Sequence, residues 1–257
     1  MKVIANLGRK GGSGKTMTSH LLAHGLSKGY GLPVNVVMTD VREDTPMNFH
    51  PDRSYFLSPI TNKDIKSDLE ALDRIFVQTQ KIPDSVLIID GGANRANVDR
   101  AFAQLADFIM IPVACGEEDV KVAEADFWGL LQCLKESNAN GDVCVIRNRW
   151  PGSGRGHERL LNKAYIKNFL AKGERTGMFF PDFIPDMPSL LDMANSNDPK
   201  TTPLIDAVAC RFAEVVARKV GIDLPPRQKL IHYPTASEIK AQKAARKAAG
   251  EQSTQAA

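Results

Sequence analysis

The stretch NLGRKGGSGKTMTS near the start of the chain contains the residue types and spacing that bind phosphate groups. Gly11, Gly12 and Gly14 permit backbone conformations that aim successive N–H groups at phosphate oxygens. Lys15 is placed to reach the β- and γ-phosphates of a nucleotide, and the Thr16 hydroxyl is placed to hold Mg²⁺. A helical pattern follows, so the positive end of a helix dipole adds to the attraction for an anion. The stretch therefore predicts a site for a nucleoside triphosphate and Mg²⁺.

The spacing of this loop departs from the ordinary P-loop pattern G-x-x-x-x-G-K-[ST]. Counting back five positions from Gly14 reaches Arg9 rather than a glycine, and Lys10 stands directly before the glycines. With these residues in view, the chain resembles the ParA/MinD family of deviant Walker ATPases, whose pattern K-G-G-x-G-K-[ST] is matched by KGGSGKT at every fixed position. In that family the additional lysine reaches across a nucleotide-sandwich dimer, where a second ammonium group neutralises phosphoryl charge. The resemblance implies that Lys10 and Lys15 are catalytic and that ATP closes a homodimer.

The same resemblance supplies further expected site residues. VLIIDGG, residues 86–92, resembles the family's Walker B strand and the start of switch II, which implies that Asp90 holds Mg²⁺ through water. Asp40 matches the first Asp of the family's D-x-D, and the resemblance makes it both catalytic and a Mg²⁺ ligand beside Thr16. Asn148 stands at a strand end where relatives read the adenine edge. The expected nucleotide-binding residues are Gly11, Gly12, Ser13, Gly14, Lys15, Thr16, Met17 and Asn148.

One position departs from the family pattern. The second Asp of D-x-D helps to position the attacking water, and Arg42 occupies its place here. Glu43 and Asp44 stand nearby as possible substitutes. We therefore expect weak ATP hydrolysis without a partner, which suits a switch that holds a dimer for a time.

Short apolar runs alternate with helical patterns along the chain, which is typical of a parallel sheet with crossover helices. Several runs are apolar without alternation, as expected where both faces of a parallel sheet are covered. The predicted fold class is α/β, a three-layer, mostly parallel twisted sheet with helices on both faces, of the P-loop NTPase type with a deviant Walker A loop. The predicted strands are residues 2–7, 34–39, 86–90, 108–113, 143–148 and 178–184.

Two amphipathic segments, residues 119–136 and 203–220, predict helices that cover this sheet. Thr202 is the expected N-cap of the second, with Pro203 at the first helical position. Residues 149–159 are expected to form a Gly-rich loop. The side chains expected in the core are Phe127 and Trp128 in the first helix, and Leu204, Val208, Phe212, Val215 and Val216 in the second.

The 257 residues, 43% hydrophobic and 25% charged, fit a P-loop ATPase domain at 1–226 followed by a basic, Ala/Lys-rich tail at 227–257 that is partly helical or disordered. No apolar run approaches the ~20 residues that a membrane helix needs. Four separated cysteines favour reduced thiols in cytoplasm over disulfides or a zinc site. The strand-like start predicts no signal peptide, and a loop that begins as early as residue 8 predicts no N-terminal DNA-binding extension.

Positive charge is concentrated at one end of the chain. The tail has six basic and two acidic residues, a net charge of +4, whereas residues 1–226 contribute −1 to the total of +3. Relatives in the family bind DNA nonspecifically through basic residues of both subunits. Thr235 and Glu238 form a capping box, so residues 236–249 are expected to be helical. The candidate DNA-binding residues are Arg211, Arg218, Lys219, Lys240, Lys243 and Lys247.

The resemblance implies a ParA-like ATPase of bacterial cytoplasm, associated with the nucleoid, that positions a plasmid or conjugative element together with a DNA-binding adaptor or cargo protein. A MinD-like membrane regulator is one alternative, although the tail has a single Ile in its helical stretch and offers little apolar area. An ATP-dependent biosynthetic enzyme of the same superfamily is another. An iron–sulfur carrier needs a second cysteine after residues 86–92, so Cys115 is expected to be a core residue.

Overall fold

A computed structural model describes residues 1–41, 53–61, 64–92, 96–151, 154–190 and 202–228. The chain divides into one unit of residues Met1–Pro226 and another of Arg227–Ala257. All of the strands and helices named below belong to the first unit. Among the described residues, no helix combines the length and the apolar character that a membrane crossing requires.

The first unit is built on one seven-stranded parallel sheet with the order β3-β2-β4-β1-β5-β6-β7. Its strands are β1 (Lys2–Asn6), β2 (Val34–Val41), β3 (Phe56–Thr61), β4 (Val86–Asp90), β5 (Phe108–Val113), β6 (Asp142–Trp150) and β7 (Phe179–Pro185). The helices are α1 (Lys15–His24), which continues as a π-helical segment at Gly25–Gly29, α2 (Ile65–Gln80), α3 (Ala96–Leu105), α4 (Glu117–Glu136), α5 (Gly154–Leu161), α6 (Ala164–Thr176) and α7 (Pro203–Val220).

Helices cover both faces of the sheet, so the predicted three-layer α/β fold is confirmed. On one face, Leu72, Phe102, Phe127 and Phe169 bring α2, α3, α4 and α6 into a single apolar cluster with the odd-numbered residues of β1 and β4. On the other face, Phe108 of β5 lies 6.0 Å from Phe180 between ring centroids, and Phe180 lies 5.6 Å from Phe212 of α7. Both layers exclude water from the central strands, which are almost fully buried.

All six predicted strands are present, and β3 is the strand that the sequence prediction missed. Its sequence FLSPIT is short and is interrupted by a serine and by Pro59, which removes a backbone donor. The strand forms nevertheless because it lies at the edge of the sheet and pairs only with β2. An edge strand tolerates proline because one of its sides needs no ladder hydrogen bonds.

Three sequence expectations about the helices are wrong. Leu204 is 61% exposed, and Val208 and Val215 are only half-buried. Phe212 and Val216 are buried as expected, and Ile205 and Ala209 belong to the same buried side of α7. Trp128 is 41% exposed, although Phe127 beside it is buried. The expected Gly-rich loop contains α5, which the buried side chain of Leu160 anchors. The N-cap prediction is confirmed, since the Thr202 side chain accepts a hydrogen bond from the N–H of Ile205.

The end of α1 lies unusually close to α7. A Cβ on Gly25 would stand 2.2 Å from the Ala209 carbonyl oxygen, and one on Gly29 would stand 2.6 Å from the Cys210 sulfur. Beside this approach, Asp206 of α7 accepts hydrogen bonds from His24 at 2.6 Å and from Lys28 at 3.2 Å. The glycines and the Asp206 carboxylate therefore fix the position of α1 against α7.

We expect Gly25→Ala to lower the free energy of unfolding by about 2 kcal/mol, because the added methyl group meets backbone atoms that cannot move aside. The matched control is Gly129→Ala in α4, where a Cβ meets nothing within 4 Å. That change should raise stability by up to about 1 kcal/mol, through helix propensity alone. Urea unfolding without nucleotide measures both; equal effects would contradict the close approach of the two helices.

Candidate phosphate-binding site

The loop between β1 and α1 lies at the edge of the sheet where the parallel strands end. Asn6, the last residue of β1, is in register with Asp90, the last residue of β4. Gly8, Gly12 and Gly14 have φ angles of 136°, 75° and 96°, which side-chain-bearing residues rarely adopt. The backbone therefore turns sharply between Gly8 and the start of α1, as a loop that wraps around an anion must.

Lys15 is folded over the loop. Its ammonium group donates a hydrogen bond to the Lys10 carbonyl oxygen at 3.0 Å, and the residue is 7% exposed. Thr16 follows it, with an exposed side chain in the first turn of α1, and Met17 is buried. The ammonium group of Lys15 and the hydroxyl of Thr16 are thus carried on consecutive residues at the positive end of the helix dipole.

Arg9, which replaces the usual glycine, fastens the loop to α4. Its backbone N–H donates to Asp126 Oδ2 at 2.9 Å, and its side-chain Nε donates to Asp126 Oδ1 at 2.5 Å. The Asp126 side chain is 6% exposed, so both of its oxygens are satisfied by one residue in a largely desolvated place. Asp126 was not among the residues predicted from the sequence, although an acidic residue beside the apolar stripe of α4 was a visible signal.

Lys10 is the more exposed of the two loop lysines. Its ammonium nitrogen lies 3.7 Å from Asp119 Oδ1, with side-chain exposures of 44% and 22%. Asp119 belongs to the first turn of α4, together with Glu117 and Glu118. The Lys10 side chain therefore reaches out from the loop towards an acidic surface, and its predicted contact across a dimer stays a prediction.

Asp90 is held in place by α1 and by β1. Its Oδ1 accepts a hydrogen bond from the Ser19 hydroxyl at 3.1 Å, and Ser19 accepts one from the Asn6 amide at 2.7 Å. The Asp90 backbone carbonyl accepts from the Thr39 hydroxyl at 2.9 Å, and that hydroxyl accepts from the N–H of Gly92 at 3.1 Å. Asp90 was predicted from the sequence, whereas Asn6, Ser19 and Thr39 were not, because no motif spacing marks them.

The oxygen donors at this edge fit Mg²⁺. The Thr16 hydroxyl and the Asp90 carboxylate are hard ligands of the kind that Mg²⁺ takes together with water and substrate phosphates. Within the described ranges, no three His, Cys, Asp or Glu residues cluster as a protein-only metal cage. Asp40 lies in β2, but its side chain falls outside the described residues, as do Arg42, Glu43 and Asp44.

Asn148 lies directly beneath the loop between β1 and α1. It is 0% exposed, and its Nδ2 donates to the Ser13 carbonyl oxygen at 2.7 Å. A Cβ on Gly14 would lie only 2.0 Å from that same nitrogen, so no other residue fits at position 14. The structure therefore places Asn148 in contact with two predicted site residues, and the adenine contact stays a prediction.

Cys115 follows β5 and forms hydrogen bonds with two residues that are distant in the chain, Arg149 and Tyr165. Its thiol donates to the Arg149 carbonyl oxygen at 3.6 Å, and its own carbonyl accepts from the Tyr165 hydroxyl at 2.7 Å. Burial raises the pKa of the Cys115 thiol to about 11. A thiol that stays protonated is a poor metal ligand, because the thiolate is the binding form.

The basic residues of α7 are largely paired with acidic ones. Arg211 Nε lies 2.8 Å from Asp182 Oδ2, and Lys219 lies 2.5 Å from Asp142 Oδ2. Arg218 is exposed, and its Nε donates to the Glu214 carbonyl oxygen of its own helix at 3.3 Å. The three basic residues line an open groove of about 540 Å³. The other DNA-binding candidates, Lys240, Lys243 and Lys247, lie outside the described residues.

A buried histidine supports α1 behind the loop. His20 Nδ1 lies 2.6 Å from the Tyr55 hydroxyl, to which Arg53 donates at 2.5 Å. Burial, and then the charge of Arg53, lower the pKa of His20 to about 3. Burial also raises the pKa of Tyr55 to about 12. The neutral imidazole is therefore the form that the fold accommodates.

Comparison with known proteins identifies the fold. No protein-family model matches the chain, and no curated protein matches it. Among solved structures, a plasmid partition protein of Borrelia burgdorferi bound to AMPPNP has 16% identity and a TM-score of 0.59, over 85% of this chain and 99% of that one. The MinD cell division protein of Aquifex aeolicus has 17% identity and a TM-score of 0.59, over 89% and 100% of the two chains.

A biosynthetic enzyme has the same fold. Cobyrinic acid a,c-diamide synthase of Mycobacterium smegmatis, bound to ADP and magnesium, has 15% identity and a TM-score of 0.61, over 88% of this chain and 98% of that one. At these identities the likeness establishes the fold alone, which this chain shares with the partition protein, MinD and the synthase. The three neighbours perform different tasks, so the fold alone does not choose among them.

We expect the buried His20 to make stability depend on pH. The unfolded chain takes up a proton near pH 6.5 and the native chain resists it down to about pH 3, so stability falls as the pH is lowered between these values. From about pH 7 to pH 5 the loss should be about 2 kcal/mol. His20→Asn keeps an acceptor for Tyr55 and removes the titration. Urea unfolding at several pH values should show the loss in the wild type and not in the variant; parallel curves would contradict it.

Proposed function

We propose that this protein is an ATP-driven switch of the ParA type: ATP closes a homodimer, the dimer binds DNA nonspecifically, and a partner protein stimulates hydrolysis and release. The observation that carries the proposal is the loop itself, in which Lys15 is folded inward and Lys10 reaches outward. The cargo we favour is a plasmid or conjugative element of a bacterium, positioned over the nucleoid in the cytoplasm.

The loop residues have separate tasks in this proposal. The turn formed by Gly12 and Gly14 presents backbone N–H groups to the phosphates, and Lys15 exchanges its carbonyl partner for the β- and γ-phosphates. Thr16 and Asp90 hold Mg²⁺, which neutralises phosphate charge when it is bound. Ser19 and Asn6 keep the Asp90 carboxylate in one orientation through the hydrogen bonds described above.

Lys10 is the residue that links nucleotide binding to dimer closure. In the single chain its charge is partly balanced by Asp119 at 3.7 Å, a separation longer than a hydrogen bond. A partner chain that offers triphosphate oxygens supplies a stronger and less solvated counter-charge than Asp119 does. Closure therefore exchanges a weak pair within one chain for a strong pair between two.

DNA binding is the next element of the proposal. The pairing of Arg211 with Asp182 and of Lys219 with Asp142 reduces the charge that α7 offers to phosphate. Of the three candidates on α7, Arg218 makes its one described polar contact with its own helix backbone. We therefore assign most of the phosphate contacts to the tail, through Lys240, Lys243 and Lys247.

A second candidate is an ATP-dependent biosynthetic enzyme, which the likeness to cobyrinic acid a,c-diamide synthase favours. DNA has no part in such a reaction, so DNA binding that depends on ATP separates the two. A MinD-like regulator is the third, and it is separated by ATP-dependent binding to anionic lipid vesicles.

We expect ATP to convert the wild-type chain into a dimer that retains DNA, and Lys10→Ala to abolish that conversion while leaving ATP binding within about threefold, a difference of less than 1 kcal/mol. The matched control is Lys2→Ala, since Lys2 also forms an exposed pair with an aspartate, at 3.3 Å from Asp107. Light scattering after size exclusion, with ATP, ADP or neither, measures the change. Dimerisation or DNA retention that does not depend on ATP would contradict the switch proposal.

We expect the DNA affinity of the ATP-bound dimer to fall with salt. With four phosphate contacts from one tail, log K should change with log salt at a slope of about −3.6, from about 0.9 per contact. The four contacts are those of Lys240, Lys243, Arg246 and Lys247. Replacing Lys240, Lys243 and Lys247 by Gln should make the slope shallower by about 2.7. Lys121→Gln, which breaks an exposed pair with Glu117 on α4, is the control. An unchanged slope in the triple variant would place the contacts elsewhere than the tail.

A further inference from the structure

We propose that Asn148 is a positioning residue that locks the peptide between Ser13 and Gly14 so that its N–H faces the bound phosphates. The inference rests on the proposed nucleotide site and assigns to Asn148 a role that acts through the loop. Its basis is a single contact: the Asn148 amide nitrogen donates to the Ser13 carbonyl oxygen at 2.7 Å in a fully buried place.

The contact orients the peptide because a peptide unit is planar and trans. Its C=O and its N–H point in opposite directions. The Ser13 carbonyl oxygen points towards Asn148, so the N–H of Gly14 points away from Asn148, on the outer side of the loop. A donor in that place attracts a phosphate oxygen, whereas a carbonyl oxygen there would repel it.

The sequence of the loop leaves this peptide free to adopt the wrong orientation. Gly14 has a φ of 96°, and a glycine populates positive and negative φ about equally. The glycine cannot be exchanged for a more rigid residue, because a Cβ would lie 2.0 Å from Asn148 Nδ2. The short distance between Gly14 and Asn148 therefore has two effects: it requires a glycine at position 14, and it places the Asn148 amide where it can restrain the peptide.

The amide group is itself held in one orientation. Asn148 Oδ1 is buried and has no hydrogen-bond partner in the described part of the chain. Turning the amide over would place this oxygen against the Ser13 carbonyl oxygen, two acceptors with no proton between them. The loop carbonyl therefore determines which amide atom faces it, even though a buried acceptor remains unsatisfied.

A bulge in β6 presents Asn148 to the loop. Arg149, the next residue, has a φ of 58°, which is uncommon for a residue with a side chain, and the register with β7 shifts between Asn148 and Trp150. Trp150 resumes the strand and donates from its indole nitrogen to the Val113 carbonyl at 3.1 Å. Local backbone strain at such a place is typical of a functional site.

Reading the base and locking the loop have different consequences. A residue that reads adenine matters for ATP and is irrelevant to a ligand without a base. A residue that orients the Gly14 N–H matters equally for every ligand that places phosphate in the loop. Inorganic tripolyphosphate, which has the phosphates and lacks the base, separates the two roles.

The test measures the affinities of the whole chain for ATP and for tripolyphosphate, each with Mg²⁺, by competition with a fluorescent ATP analogue. We expect Asn148→Ala to weaken both by the same factor, about tenfold, while thermal unfolding without nucleotide shows a folded chain. Asn35→Ala is the matched control, because Asn35 also donates from a strand, to Thr79 at 3.2 Å, away from the loop. That control should leave both affinities unchanged.

A second variant distinguishes the loss of this one contact from a general loss of structure. In Asn148→Asp the ionised carboxylate repels the Ser13 carbonyl, whereas the protonated form regains a donor. Binding relative to the wild type should therefore recover as the pH is lowered from about 8 to about 5, since burial raises a carboxyl pKa. A merely structural defect would not follow the pH in this way.

The outcomes separate this inference from the proposed function. A wild-type chain that binds neither ligand contradicts the proposed function itself. A wild-type chain that binds both, with Asn148→Ala unchanged, overturns only the role of Asn148. Loss of ATP affinity with intact tripolyphosphate affinity overturns it in favour of base reading.

Discussion

The candidate site depends on the parallel register between β1 and β4, which sets Asn6 beside Asp90. Side chains of a strand alternate between the two faces, so a slip by one residue would send these two groups to opposite sides of the sheet. In the observed register both face α1, where Ser19 connects them. The helix that begins with Lys15 and Thr16 is thereby fixed over the same edge. The two elements that flank the loop, β1 and α1, are thus joined by hydrogen bonds to the acidic end of β4.

A second restraint comes from α4, which holds the loop from the side. Asp126 engages Arg9 and Asp119 lies near Lys10, so two acids seven residues apart on one helix face two consecutive basic residues. The two pairs differ in character. The first is short and its acid is buried, which makes it part of the architecture. The second is long and exposed, and an exposed pair of this kind contributes about 1 kcal/mol at most. Arg9 therefore fixes the loop to α4, whereas the Lys10 side chain is held only weakly and can exchange Asp119 for another partner.

Much of the fold was predictable from sequence, because strands buried on both faces are apolar throughout and helices alternate with them. The strand β3 was not, because its stability comes from β2 and its own sequence contains a proline. The loop residues were predictable from local spacing, whereas Asp126, Ser19 and Asn148's contact with Ser13 depend on elements distant in the chain. Leu204 shows the converse error: the predicted stripe began at Leu204, whereas the buried side of α7 begins at Ile205 and includes alanines that allow a close approach.

The prolines of the edge strands have a consequence for self-association. The outer strand β3 contains Pro59, and the opposite outer strand β7 contains Pro181 and Pro185. A proline has no N–H to offer to an incoming strand, so neither side of the sheet is suited to continue into a second molecule. Any association of two copies of this chain is therefore directed to side chains and loops rather than to the edges of the described sheet. Such a contact can form and separate without disturbing the backbone ladder of either copy.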